Sequence, residues 1–202
     1  MLELFVLAGY LIGGIPFAVP VVLLLHGRDV RTTGSGNVGA RNSLRVGGPL
    51  AGASVLLLDA LKAALPMLLA RGLGADAWAV LALGVGVVLG HCYSLYMIAR
   101  ALRRPWPGWR MAALHVGGQG LASGLGLMAV LTPLIVAPVL LTGAAIIFGL
   151  KRSTAAALVM VLLAPGAAAL AGYPRLASLG LALGTLIICT KLLPDLVPEK
   201  AS

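Results

Sequence analysis

After Glu3 the chain runs to Leu25 without one charged side chain, and long uncharged runs recur almost to its end. This feature restricts the fold more than any other. A run of about 20 apolar residues is the length of a helix that crosses a bilayer. A helix pairs its own backbone groups, which hydrocarbon demands because no water is there to pair them. Seven such segments are read, at about 2–25, 49–70, 77–99, 117–131, 133–150, 154–172 and 176–193. Composition agrees, with 60% hydrophobic and 10% charged residues. About 25% charged is usual for a soluble domain, so too few charges are present to cover a wetted surface. The expectation is an all-α, polytopic integral membrane protein of about seven transmembrane helices. It is read as one membrane-embedded domain over residues 1–202, since no internal repeat or low-complexity tail divides it.

The segments are not equally good. The fourth is short and glycine-rich, and reads as a half-helix or a packed internal segment. Gly13, Gly14, Pro16 and Pro20 interrupt the first, and are tolerable where neighbouring helices satisfy the freed backbone groups. The stretch "GVGVVLG", Gly84–Gly90, offers a surface against which another helix can pack closely. No basic region precedes the first run and no small-residue cleavage site follows it, so it reads as a retained anchor and not as a signal peptide.

Charge decides orientation. The net charge of +9 would suggest nucleic acid in a soluble protein. In a membrane protein it marks loops on the cytoplasmic side, and no nucleic-acid partner is expected. Arg28, Arg31, Arg41 and Arg45 fall between segments one and two, Arg100, Arg103, Arg104 and Arg110 between three and four, and Lys151 and Arg152 between five and six. The intervening connections hold Arg71 with Asp76, nothing near Thr132, and Arg175. Positive loops thus alternate with nearly neutral ones. That pattern sets the N-terminus outside and the C-terminus in the cytoplasm.

One cytoplasmic connection stands out. "RTTGSGNVGARNSLRVGG", Arg31–Gly48, concentrates glycine, amide, hydroxyl and guanidinium groups in a chain otherwise poor in them. Gly34, Gly36 and Gly39 permit positive φ and close backbone approach, so successive N–H groups can converge on an anion. Ser35, Asn37 and Asn42 add neutral hydrogen-bonding groups, and Arg41 and Arg45 add the fork that suits phosphate. An ordinary polar loop between helices would look similar, so the glycines alone do not decide.

"GSGNVGARNSLR" resembles the first motif of the acyl-phosphate-dependent glycerol-3-phosphate acyltransferases, G-S-G-N-x-G-A-T-N-x-x-R, with Arg41 in place of threonine. The context is similar too: "LLLDALKAALP" opens the second segment, "VLGHCYSLYM" closes the third and "GYP" ends the sixth. "HVGGQGLASGLG", residues 115–126, resembles the second motif, G-G-K-G-V-A-T, but Gln119 stands in place of its lysine. An insert containing Trp106 and Trp109 precedes it, which reads as an interfacial loop or as the source of a replacement cation, Arg110. The third motif, H-R-x-N-I, is not recognisable in "IICTKLLPDLVPEK", where Lys191 and Pro194 fall near its histidine and asparagine.

The resemblance implies transfer of a fatty acyl group from acyl phosphate to the 1-hydroxyl of glycerol 3-phosphate. The product would be lysophosphatidic acid, made for phospholipid synthesis at a bacterial inner membrane. Ser35 and Asn37 are then the catalytic candidates. Gly34, Gly36, Gly39, Asn42, Arg45, Gly117, Gly118, Gly120 and Ser123 are the candidates for holding substrate phosphate. The partners are acyl phosphate, glycerol 3-phosphate and membrane lipids. An acyl phosphate is a mixed anhydride with a good leaving group, so positioning and oxyanion stabilisation can supply much of the rate. The departures from the second and third motifs keep open a diverged paralogue with another acceptor or no catalysis. A small anion transporter using the same loop is the reading from another class.

Three further residues are candidates for electrostatic support: Lys62, His91 and Arg110. Asp59 and Lys62 lie three residues apart at membrane depth, where each unpaired charge costs about 2.5–3.5 kcal/mol. They read as a structural ion pair, or as part of the substrate's electrostatic surroundings. His91 reads as a satisfied hydrogen-bonding residue at a helix end, or as a base. Cys92 and Cys189 sit in apolar context without C-x-x-C spacing, so neither disulfide, metal nor cofactor is expected.

Overall fold

A computed structural model describes residues 1–103, 115–150 and 153–193. Every regular element among them is a helix: α1 Leu2–Gly13, α2 Ala18–His26, α3 Ala40–Gly72, α4 Ala77–Cys92, α5 Leu95–Ala101, α6 Leu121–Leu131, α7 Pro133–Leu150, α8 Ser153–Leu170 and α9 Arg175–Leu192. Four helical stretches among the described residues are long and apolar enough to cross a membrane: Leu2–His26, Ala40–Gly72, Ala77–Ala101 and Arg175–Leu192. Seven spanning helices were expected. The fourth segment is helical only over the 11 residues of α6, about 16 Å at 1.5 Å per residue, and cannot cross ~30 Å of hydrocarbon.

Leucines confirm the solvent. Leu4 is 67%, Leu24 84% and Leu69 65% exposed, and the same surface carries many more. Burying a leucine is worth about 1.5–3 kcal/mol, so a face built of them belongs against lipid. The interior is filled by smaller groups. Gly9 and Gly13 of α1 rest on backbone atoms of Leu83 and Val87, while Gly86 and Gly90 of α4 rest on Val6 and Tyr10. A Cβ at any of these positions would enter the opposing main chain, so "GVGVVLG" does form a close helix contact. A second apolar core joins α4, α6, α7, α8 and α9 around Val88, Leu127, Ile135, Leu181 and Ile188.

Two helical stretches are broken, one inside the first expected segment and one just before the second, and the breaks shape the site. The first segment stops at Gly14 and resumes at Ala18. The orphan carbonyls at this break accept from buried donors: Ser94 Oγ donates to Gly14 O at 2.6 Å and Lys62 Nζ to Ile15 O at 3.0 Å. The neighbouring helices thus supply the pairing that a glycine- and proline-interrupted span requires. In α3, Gly48 adopts φ 71°, ψ −174° and separates a short helix, from Ala40, from the span that begins at Pro49. Proline suits that start because its missing N–H would be unpaired there in any case. The polar stretch read as loop up to Gly48 is therefore helical from Ala40 onward.

Candidate functional site

The stretch between α2 and α3 is organised by its own side chains. Asp29 accepts from Arg31 N at 2.9 Å, and Arg31 forks onto it with Nε–Oδ1 and Nη2–Oδ2 distances of 2.8 Å each. The Arg31 guanidinium holds the Asp29 carboxyl below the usual carboxylate range, against a smaller upward push from burial. Thr32 and Thr33 hydroxyls donate to Asp29 O at 3.1 and 3.0 Å. Asn42, 3% exposed, reaches back from the short helix as a clamp. Its Oδ1 accepts from Ser35 N, and its Nδ2 lies 3.0 Å from each of Val30 O, Thr33 O and Asn37 O. Gly34 and Gly36 take φ of 65° and 70°, and a Cβ on Gly34 would strike the Asn42 amide. Glycine is therefore needed at Gly34 twice over, for conformation and for space.

The stretch before α6 is built against the end of α4. Gly118 N donates to His91 O at 2.9 Å, and Ser94 N to Val116 O at 2.9 Å. Side chains at Gly117 would meet the carbonyls of His91 and Cys92, and at Gly118 the His91 imidazole. Gly120, φ 86°, caps α6. Ser123 is fully buried and donates to Gly120 O at 3.1 Å.

These two stretches face one cavity of about 500 Å³, lined by Ser35, Asn37, Gly39, Ala40, Arg41, Asn42, Arg45, Leu56, Asp59, His91, Gln119, Gly120, Leu121, Ala122 and Thr154. Two helix N-termini open onto it. Gly39 begins α3 and Gly120 begins α6, neither with a side-chain cap. A helix start presents unpaired N–H groups and roughly half a positive charge, so it attracts anions. Arg41 and Arg45 flank the same space, and neither has a carboxylate partner among the described residues. Positive character converges on a polar cavity whose described wall offers one carboxylate, Asp59, already held by Lys62 Nζ at 2.8 Å.

A second cavity of about 190 Å³ adjoins the first, since Leu56 and Leu121 line both. It runs between α6, α7, α8 and α9 and is almost wholly apolar, with Met128, Val139, Met160, Leu181 and Ile188 in its wall. The arrangement fits an amphiphile with an anionic head and a hydrocarbon tail.

The sequence of glycerol-3-phosphate acyltransferases matches residues 3–193. The chain belongs to the glycerol-3-phosphate acyltransferase family. Among its relatives of that name, the Anaeromyxobacter dehalogenans strain 2CP-C protein is 44% identical over 152 residues, covering 73% of this chain and 67% of the relative. The Myxococcus xanthus protein is 46% identical over 134 residues, 66% and 62% of the two chains. The Rubrobacter xylanophilus protein is 34% identical over 175 residues, 86% and 79%. The fold is similar to crystal structures of PlsY, described as an integral membrane glycerol 3-phosphate acyltransferase. Its glycerol 3-phosphate form has a TM-score of 0.79 at 27% identity, covering 96% of this chain and 89% of that one. Its lysophosphatidic acid form has a TM-score of 0.74 at 26% identity, covering 94% and 87%. With its apolar helices, this makes the chain a multi-pass membrane protein.

Against this family background the expected residues sort by position. Ser35, Asn37, Gly39, Asn42, Arg45, Gly120 and His91 border the polar cavity. Gly34 and Gly36 shape the loop behind it, Gly117, Gly118 and Ser123 form the packed turn before α6, and Lys62 reaches the cavity through Asp59. Arg110, with Trp106, Trp109 and Pro194, lies outside the described residues. Sequence reasoning missed Thr154 and Leu56, whose only signal was a polar residue starting a segment and an apolar one within a span.

Proposed function

We propose that the protein transfers a fatty acyl group from acyl phosphate to the 1-hydroxyl of glycerol 3-phosphate, forming lysophosphatidic acid. The observation that carries this reading is the convergence of two uncapped helix N-termini, Arg41 and Arg45 on a cavity that continues into an apolar one. Two phosphates sit on the positive groups and the acyl tail runs past Leu56 and Leu121. Ser35 and Asn37 face the reacting carbonyl, with Ser35 N–H set by the Asn42 clamp. Arg45 and the N–H groups that begin α3 and α6 hold phosphate. Gly34, Gly36, Gly117, Gly118 and Ser123 serve by holding these donors in place, and Asn42 by ordering the loop. Neither a metal nor an organic cofactor enters the scheme.

The topology reading goes with it: one membrane-embedded unit, N-terminus outside, C-terminus in the cytoplasm, in a bacterial inner membrane. Ser35, Asn37, Gly39–Asn42 and Arg45 belong to the first connection that the charge pattern assigns to the cytoplasmic side, Gln119–Ala122 and Thr154 stand at the start of the segments that follow the other two, and all border one cavity. That common placement supports the alternation, and with this orientation the cavity would open where phosphorylated metabolites occur.

The test is direct. Purified protein given acyl phosphate and labelled glycerol 3-phosphate should release lysophosphatidic acid, and Ser35→Ala should abolish it. Product no higher than the Ser35→Ala background would favour a diverged paralogue, a reading that Gln119 in the cavity wall keeps alive.

A further inference from the structure

The apolar cavity has an end, and its length can be read from the helices that wall it. On α6 the wall runs from Leu121 to Met128, and on α9 from Ile188 to Leu181. The two helices are antiparallel along it, since a Cβ on Gly124 would face Ile188 and one on Gly184 would face Leu127. Leu121 and Ile188 therefore stand at the end shared with the polar cavity, and Met128 and Leu181 at the far end. Seven residues at 1.5 Å each make a slot about 10 Å long. Just past Leu181, Gly180 packs on the side chains of Leu131 and Leu81, which leave no room even for a Cβ. The slot stops there. Its interior is dry as well. Thr185 is the one polar side chain in the described wall, and its hydroxyl donates to Val161 O at 2.7 Å. That carbonyl needs the donor because Pro165, one turn further along α8, has no N–H to give it. A water requires about two to four polar partners, and a hydrocarbon chain requires none. Such a chain advances about 1.2 Å per bond, a third of the ~3.5 Å that an extended residue covers. The ~10 Å slot thus takes about eight carbons. Volume agrees, for about 190 Å³ holds about six methylenes if each fills roughly the 30 Å³ of a water.

We propose that this slot sets the length of acyl chain the protein transfers, with Gly184 as the specificity-determining residue. The proposal rests on the acyltransferase reading above. The tail enters past Leu56 and Leu121 and lies along α9, its terminal methyl toward Met128 and Leu181. Each methylene that finds room there is worth about fourfold in kcat/KM, the equivalent of ~0.8 kcal/mol. A chain that outruns the slot gains nothing more and meets Leu181 and the packed side chains behind it. Gly184 stands three residues before Leu181, which is about 4.5 Å or four carbons short of the end. Outside its own helix, a Cβ at Gly184 would meet nothing within 4 Å except Leu127 Cδ2, at 3.1 Å. The glycine therefore keeps open the far part of the slot, which only long chains reach.

Competition among chain lengths tests it. Purified protein is given glycerol 3-phosphate and an equimolar mixture of saturated acyl phosphates of eight to eighteen carbons, and the lysophosphatidic acids formed are separated by mass. Competing substrates divide the product in the ratio of their kcat/KM values. Wild type should show yields that climb with chain length and break off at one length. Gly184→Leu should move that break down by about four carbons. It should also lower the ratio of long-chain to short-chain product by more than tenfold, because two displaced methylenes alone are worth about 15-fold. Leu181→Ala removes part of the floor and should move the break up. Product from the shortest chains, whose tails end before Gly184, shows that each variant is folded and active. If Gly184→Leu does not yield monodisperse protein, the smaller Gly184→Ala and the opposite shift in Leu181→Ala decide the matter. Wild-type yields without a break, or the same distribution from wild type and variants, would overturn the proposal. Wild type that forms no product of any length removes the acyltransferase reading and the slot's role with it, whereas active wild type with an unmoved break removes the slot's role alone.

Discussion

Asn42→Ala tests whether the cavity-lining loop is held from behind. The Asn42 amide makes one bond as acceptor, to Ser35 N–H, and offers its two N–H hydrogens to three carbonyls, Val30, Thr33 and Asn37. Two hydrogens cannot fully serve three acceptors, so the set is worth about three ordinary bonds. At roughly 0.5–1.5 kcal/mol net each, truncation should cost the ordered loop about 2–4 kcal/mol. Water can reach Ser35, which is exposed, but not the carbonyl of Val30, which is buried. This keeps the loss near the middle of that range. The loss falls on the loop, because the apolar cores that hold the helices together do not include Asn42. A factor of ten per 1.4 kcal/mol turns it into a fall in kcat/KM of about 30- to 700-fold. Hydrogen exchange at the amides of Thr33–Asn37 should accelerate in parallel, while the thermal midpoint in detergent moves little. If Asn42 instead held substrate phosphate through Nδ2, activity would fall with exchange unchanged. That result, or wild-type kcat/KM, would refute the clamp.

Three further outcomes follow from the packing and the charges. Lys62→Met leaves Asp59 as an unpaired buried carboxylate and Ile15 O without its donor, so unfolding in detergent should show a loss of about 3–5 kcal/mol. Adding Asp59→Leu should recover most of it. Gly90→Ala drives a methyl into the Tyr10 carbonyl and should cost about 1–3 kcal/mol, whereas Gly166→Ala on α8 meets nothing within 4 Å and should not lower the thermal midpoint. The Asp29 carboxyl is held below its ordinary value chiefly by the Arg31 guanidinium. Its contribution is therefore complete above the unfolded value, about 3.9, and is lost as pH falls through the lower folded one. Loop exchange rates should be flat, apart from intrinsic chemistry, from neutral pH down to about 4 and rise below it, and Asp29→Asn should show the looser loop at every pH.

Much of the fold was legible because it follows from solvent. Uncharged runs must become helices in lipid, and Gly48-Pro49 marks the start of the second span as a proline after a positive-φ glycine should. What failed has one cause: local reading cannot see partners far along the chain. The first run looks continuous because nothing in Gly13–Phe17 reveals that Lys62 and Ser94 stand ready for two freed carbonyls. Arg41–Gly47 looks like loop because its polar residues were credited to solvent, when Asn42 turns inward and is almost fully buried. For the site, the loop that borders the polar cavity announced itself through glycine, amide and arginine in one short stretch.

His91 shows where sequence reasoning stops and what replaces it. A lone histidine at a helix end reads from sequence as a satisfied hydrogen-bonding residue or as a base, and nothing near it in the chain decides between them. Asp59 lies on another helix, separated from it by the rest of α3, the turn that follows and nearly all of α4. Only the packing of α3 against α4 brings the two within 3.6 Å. The same packing gives the Asp59–Lys62 pair two neighbours at once, the broken first helix on one side and the cavity on the other. An ion pair serving structure alone needs no opening to a cavity, yet Asp59 borders the cavity while its partner Lys62 is tied to a helix break. Both features occur in one cluster. Breaking the α1–α2 junction at Pro16 should therefore disturb catalysis as well as stability, through Lys62. Replacing Gly14-Ile15-Pro16 by Ala-Leu-Ala would restore continuous helical hydrogen bonding and withdraw the Ile15 carbonyl from Lys62. The expected result is a thermal midpoint that holds or rises while kcat falls. Unchanged kcat in such a variant would show that the junction and the cavity share a lysine without sharing a function.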